Sequence, residues 1–133
     1  MMRIATLVLL ATSVFPAVAQ ESNPILGAWD WNPTHGVCHE VHVYRSDGTA
    51  QTKSGTEVLE KTFTIAPGKG GMYVVSTKVV SANDGRDCLG SKTAVGATSV
   101  VFIQPLNSGS YFTCANEDGM SCYGSAQRAA KPD

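Results

Sequence analysis

Val37-Cys38-His39-Glu40-Val41-His42-Val43-Tyr44-Arg45-Ser46-Asp47-Gly48 is the stretch whose reading decides the fold class. Successive side chains of a strand point to opposite faces. Val37, His39, Val41 and Val43 therefore fall on one side, and Cys38, Glu40, His42 and Tyr44 on the other. Ser46-Asp47-Gly48 follows as a hairpin turn, with Gly48 free to take the positive φ such a turn needs. The pattern leaves the inward face open: the valines favour the first set, while Tyr44 and Cys38 favour burial of the second.

The same grammar of short β-rich runs and Gly, Asn, Asp or Pro punctuation extends in both directions. Upstream, Ile25 to Trp29 reads as a first strand and Asn32 to Gly36 as a turn. Downstream, Thr49 to Lys53 returns as a polar strand. Val58 to Ile65 is the next, with Leu59, Phe63 and Ile65 on one face. Ala66 to Gly71 reads as a loop and Met72 to Val80, rich in β-branched residues, as a central strand. Ser81 to Ala97 is the longest irregular stretch and carries Cys88. Thr98 to Gln104 and Ser110 to Ala115 form a hairpin, and Asn116 to Asp133 a polar tail, frayed from about residue 126. No amphipathic helix or internal repeat interrupts the series. The expectation is an all-β fold, a small antiparallel barrel or sandwich of about seven to eight strands.

Residues 1–19 have the composition of an export signal. Arg3 starts it, Ile4 to Val14 is an apolar run too short to span a membrane, and Ala17-Val18-Ala19 is a small-x-small cleavage site. The mature chain, 20–133, is then a single β domain. Its cysteines meet an oxidising compartment, periplasm or medium, where an even set pairs. Four cysteines allow three pairings. Cys114 and Cys122 flank Asn116-Glu117-Asp118-Gly119, which turns the chain back on itself, so they pair and Cys38 reaches Cys88. The 133-residue chain holds 10 Lys+Arg against 11 Asp+Glu, a net charge of −1. That balance argues against a nucleic-acid partner, which requires a basic patch. No later apolar run approaches the length of a membrane span.

Two resemblances enter on particular residues. Gly27-Ala28-Trp29 resembles the Gly-x-Trp near the start of lipocalin-like up-and-down barrels, and Arg128 corresponds to the late Arg that packs over that Trp. The Thr-Asp-Tyr element of true lipocalins is absent. The resemblance implies structural roles for Gly27, Trp29 and Arg128. Over most of the mature chain, the order of pieces is similar to a family of uncharacterised exported bacterial four-cysteine proteins. The pieces are Gly27-x-Trp29, Cys38-x-Glu40, Tyr44 to Thr49, Ser54-Gly55 with Glu57, Asp84-Gly85 with Asp87-Cys88, Tyr111 to Cys114, Cys122-Tyr123-Gly124 and Arg128. That resemblance implies a shared fold and no activity. His42 stands where an aromatic residue is expected.

Catalytic motifs are missing. His35, His39 and His42 crowd one segment beside Cys38 and Glu40, but strand alternation sends His39 and His42 to opposite faces, so no metal is assigned. Asp84-Gly85-Arg86-Asp87 has calcium-loop composition without the ligand spacing or the closing Glu. Pro67 to Gly71 lacks the phosphate-loop pattern, and Gly-x-Ser-x-Gly is absent. No catalytic residue, metal or cofactor is assigned. The candidate binding residues are Trp29, Trp31, Glu40, His42, Tyr44, Asp84, Arg86 and Asp87, with at least one Trp in the core and one at a cavity mouth. The expectation is a non-enzymatic exported binding protein, taking a small apolar ligand inside the barrel or a protein partner on its loops. The alternative is an inhibitor or immunity protein acting on an exported or cell-wall-directed enzyme through the Ser81 to Ala97 loop. A large dry cavity favours the ligand reading; a filled core beneath a rigid protruding Cys88 loop favours the inhibitor.

Overall fold

Strand alternation becomes a closed wall once each run finds its neighbour. The structure, a computed structural model, describes residues 23–33 and 38–130. The export signal, His35 and Val37 lie outside them. The strands are β1 (Gly27–Pro33), β2 (Glu40–Tyr44), β3 (Thr49–Ser54), β4 (Glu57–Pro67), β5 (Tyr73–Ala82), β6 (Thr98–Asn107), β7 (Ser110–Cys114) and β8 (Cys122–Arg128). Each pairs antiparallel with the next, and β8 pairs with β1, so the sheet is an eight-stranded closed barrel. Closure leaves no open sheet edge on which another chain's strand could add. Cys38–Cys88 and Cys114–Cys122 are both formed. Among the described residues no helix is long and apolar enough to cross a membrane.

Several boundaries differ from the sequence expectations. β1 starts at Gly27 and runs through Asn32 and Pro33, because the Asn23 side chain accepts the Ile25 N–H and turns the chain before the strand begins. β4 continues to Pro67 and β5 to Ala82, since the ladder between them holds out to Pro67↔Tyr73 and Leu59↔Ala82. The irregular stretch is thus shorter, 83–97. β6 runs through Pro105 to Asn107, with a bulge between those two positions, leaving Ser108 and Gly109 as the turn. The largest correction is the tail. Residues 122–128 form β8, with Ala126 completely buried. Gly, Ser, Ala and Gln are weak strand formers, so the segment reads as a loop. Its small residues are what the site requires: a Cβ on Gly124 would strike the indole of Trp31. Large side chains on β1 fill the barrel and small ones on β8 make room for them.

Tyr44 answers the question of the inward face. It is buried in the core cluster with Ile25, Trp29, Ala50, Phe63, Val75, Ile103, Tyr111 and Ala126. Its ring meets Phe63 edge-on at 5.1 Å between centroids, and Trp29 meets Tyr111 the same way at 4.6 Å. The Glu40–His42–Tyr44 face therefore points inward, and Val41 and Val43 lie half-buried on the wall's outer side.

One end is closed by Arg128. Its guanidinium carbon sits 4.1 Å from the Trp29 ring centroid. Its nitrogens donate to the carbonyls of Leu26, Pro24 and Ser108, which ties β8, the β6–β7 turn and the segment before β1 together. Gly27, at φ 110°, lies against the same guanidinium, where a Cβ would collide with it. A cleft of about 400 Å³ borders this plug, between Ile25, Leu26, Trp29, Pro105 and Tyr111. Arg128→Ala is expected to lower stability by about 0.5–2 kcal/mol, measured by urea denaturation, because the cation–π contact and its packing are lost together. An unchanged midpoint would show that the plug adds nothing.

Candidate functional site

The barrel interior has two halves of opposite character. Around Trp29 and Tyr111 it is apolar, built from the buried core cluster. Toward the β3–β4 turn, the inward positions read Glu40 and His42 on β2, Thr52 and Ser54 on β3, and Glu57 and Lys61 on β4. Cross-strand register places them side by side: Glu40 faces Ser54, His42 faces Thr52, and Ser54 faces Glu57. Glu40, Thr52, Ser54, Glu57 and Lys61, together with Leu59, Val79, Asp87 and the hydroxyls of Thr77 and Ser99, border a cavity of about 240 Å³, with His42 behind Glu40.

Charges inside a barrel need partners, because burial without hydrogen bonds costs several kcal/mol. Glu57 is only 3% exposed. Its two oxygens accept from the Thr93 backbone N–H at 2.7 Å and the Thr93 hydroxyl at 3.0 Å. Glu40 Oε2 lies 2.7 Å from His42 Nε2. Burial pushes the Glu40 carboxyl up, but the hydrogen bond and charge of His42, with Ser54 and Lys61, outweigh it and hold the group below its ordinary value. Burial pushes Lys61 below the usual lysine range, while Glu40 and Glu57 pull it back up. The His42 ring stacks on Trp31, with centroids 5.8 Å apart and planes 20° from parallel. Trp31 in turn donates from Nε1 to the Thr113 hydroxyl at 3.1 Å.

The loop 83–97 lies over this half. Cys88 is bonded to Cys38, and its N–H donates to Ser54 Oγ at 3.2 Å. The Arg86 carbonyl accepts from the N–H groups of Thr56 and Glu57, and the Asn83 side chain accepts from Val58 N and donates to the Thr56 carbonyl. Gly85 passes so close to Thr56 that a Cβ would overlap its carbonyl. Thr93 reaches down to Glu57, and Gly96 and Ala97 pair with Val79. Between these anchors the loop presents Leu89, 84% exposed, and Val95, 64% exposed.

The candidate residues from the sequence divide accordingly. Trp31, Glu40 and His42 come together inside the polar half. Trp29 and Tyr44 belong to the buried core. Asp84 and Arg86 lie on the outer loop surface: Asp84 meets Lys92 at 3.5 Å, and the Arg86 side chain closes a turn on the Gly90 carbonyl. Asp87 accepts from the N–H groups of Leu89 and Ser91 and borders the cavity. His39 points outward to Asp30 at 3.4 Å, away from His42 as alternation requires. The sulfurs of Cys38 and Cys88 lie near the Glu40 carboxylate, but in the disulfide they are not thiolates, the form in which cysteine ligates metal. Sequence reasoning missed Glu57, Lys61 and Thr93. The signal was present for two of them: 57, 59, 61, 63 and 65 alternate on one face, so the face that buries Leu59 and Phe63 also carries Glu57 and Lys61.

Burial raises the Tyr44 hydroxyl from 10.0 to about 12, and the Tyr111 hydroxyl rises further for the same reason. A raised folded value means the native state holds the proton longer than the unfolded chain does. The stabilisation is complete below pH 10 and is lost as pH rises toward 12. For Tyr44 alone two pKa units correspond to about 3 kcal/mol. Stability measured between pH 9 and pH 12 should fall steeply above pH 10, and Tyr44→Phe should flatten that fall. A profile level to pH 12 would contradict the burial of both phenols.

No protein-family model, curated protein or solved structure matches the chain significantly.

Proposed function

We propose that this is an exported, non-enzymatic binding protein that engages a protein partner through the disulfide-pinned loop 83–97, with inhibition of an exported enzyme as the consequence of that grip. One observation carries the reading: the loop is tied to the barrel by Cys88, by Arg86 and by Thr93, yet holds Leu89 out in solvent. A loop already ordered before contact loses little entropy on binding, and an exposed apolar side chain at its tip is the natural anchor. Two disulfides are compatible with the oxidising compartment that export implies. The Arg128-over-Trp29 closure supports a lipocalin-like reading of the barrel, and the cleft beside Arg128 is the place a small apolar ligand would occupy under that rival reading.

The test is a photo-cross-linking residue placed at Leu89 of the exported chain, with Lys53 as control. A discrete protein adduct is expected from position 89 alone, and it should vanish when Cys38 and Cys88 are both replaced by Ser. Equal labelling from both positions, together with a small apolar molecule co-purifying with the mature protein, would transfer the proposal to the cleft beside Arg128.

A further inference from the structure

Lys61 is the group the architecture leaves unanswered. Its side chain turns into the barrel and borders the cavity, but among the described residues it forms no ion pair and no hydrogen bond. A half-buried ammonium carries three donors and needs acceptors. Glu40 and Glu57 border the same cavity. Each carboxylate has about four lone-pair sites, and the bonds to His42 and Thr93 occupy only part of that capacity. The space thus holds a donor without a contacting acceptor and carboxylates with spare acceptor capacity, with Leu59 and Val79 as apolar parts of the wall.

We propose that the cavity beneath loop 83–97 is a binding site for a small zwitterionic amine of the free α-amino acid class, its carboxylate on Lys61 and its ammonium on Glu40 and Glu57. The two simpler ligand classes fit worse. A lone anion would gain Lys61 but face the carboxylates of Glu40 and Glu57, with Asp87 also in the lining, and a lone cation would gain the carboxylates but face Lys61. A molecule carrying both charges satisfies both sides and leaves the net charge of the cavity unchanged. Size agrees with the class: about 240 Å³ is below the ~300–1,000 Å³ of drug-sized sites and corresponds to about eight waters at ~30 Å³ each. The hydroxyls of Thr52, Thr77 and Ser99 add neutral partners. The shift of Lys61 below its usual range fits a site whose ammonium lacks an anion in contact, since a bound carboxylate would favour its charged form.

The site is independent of a partner on Leu89. The oxidised mature protein is titrated with glycine, L-alanine and L-serine, with acetate and methylammonium as half-ligand probes, and backbone amide shifts are followed by NMR. Saturable shifts at Ser54, Thr93 and Ser99 are expected with at least one amino acid, and each half-ligand should bind weaker by on the order of tenfold or more. Lys61→Met should remove binding while leaving the core's near-UV circular dichroism intact. Glu40→Gln should abolish the preference for alanine over acetate, and it decides the matter if Lys61→Met does not fold. The absence of saturable shifts with every amino acid, acetate binding as tightly as alanine, or unchanged binding in Lys61→Met would each overturn the proposal.

Discussion

Replacing Cys38 and Cys88 together by Ser should lower the unfolding free energy by about 4 kcal/mol. The bond closes a loop spanning 50 positions, and the chain-entropy relation assigns that loop about 4 kcal/mol of restriction in the unfolded state. Cys114–Cys122 spans 8, for which the same relation gives about 2.5 kcal/mol. The two double replacements should therefore rank in that order in urea denaturation. Effects of equal size, or a larger effect at Cys114–Cys122, would mean that native-state contacts rather than chain entropy dominate. A local consequence is expected as well. Without Cys88 fixed, the loop keeps its bonds from Arg86 and Thr93, but the Thr93–Glu57 contact must then hold it with less help. Hydrogen exchange at Thr93 should accelerate before that of Val75, which lies fully buried in β5.

Trp29→Ala is expected to cost about 3–5 kcal/mol, the usual range for deleting a large buried aromatic side chain. Trp29 is 2% exposed and sits at the meeting point of the core. Its ring packs on Tyr111 and beneath Arg128, and its Nε1 donates to the Ile25 carbonyl at 2.9 Å. Trp29→Phe should cost less, since it keeps an aromatic face for Arg128 and loses chiefly the N–H bond, worth about 1 kcal/mol in net terms. A double-mutant cycle between Trp29→Ala and Arg128→Ala should show coupling of about 0.5–2 kcal/mol. Strict additivity would mean that Arg128 acts only through its bonds to the carbonyls of Pro24, Leu26 and Ser108.

The candidate site was legible in part, and the legible part was local. Strand alternation put Glu40 and His42 on Tyr44's side and separated His39 from His42. The same rule applied to 57, 59, 61, 63 and 65 contained Glu57 and Lys61, but alternation says only that residues share a face. A Lys between Leu59 and Phe63 is read as an exception until its neighbours are known. Thr93 carries no signal of its own: it matters because a loop 36 positions away in sequence returns to cap Glu57. Asp84 and Arg86 stood out by composition, yet their side chains serve turns on the loop's outer surface.

Taken alone, the amino-acid sequence determined the all-β class and the approximate strand count, which follow from period-two patterning and turn chemistry acting within a few residues. The turn at 116–119 pointed to Cys114–Cys122 and so left Cys38 for Cys88, while the Trp29–Arg128 contact was only implied by a motif resemblance. Closure of the barrel was decided only in three dimensions. The weak strand former 122–128 is ordered because its backbone completes the ladders of both β1 and β7, and because Gly124 and Ala126 leave space for Trp31 and Tyr111. The division of the interior was decided there too. Burial of Glu40, Glu57 and Lys61 is tolerable only where side chains from β2, β3, β4 and the returning loop converge, and such convergence is a property of the closed barrel and of no single strand.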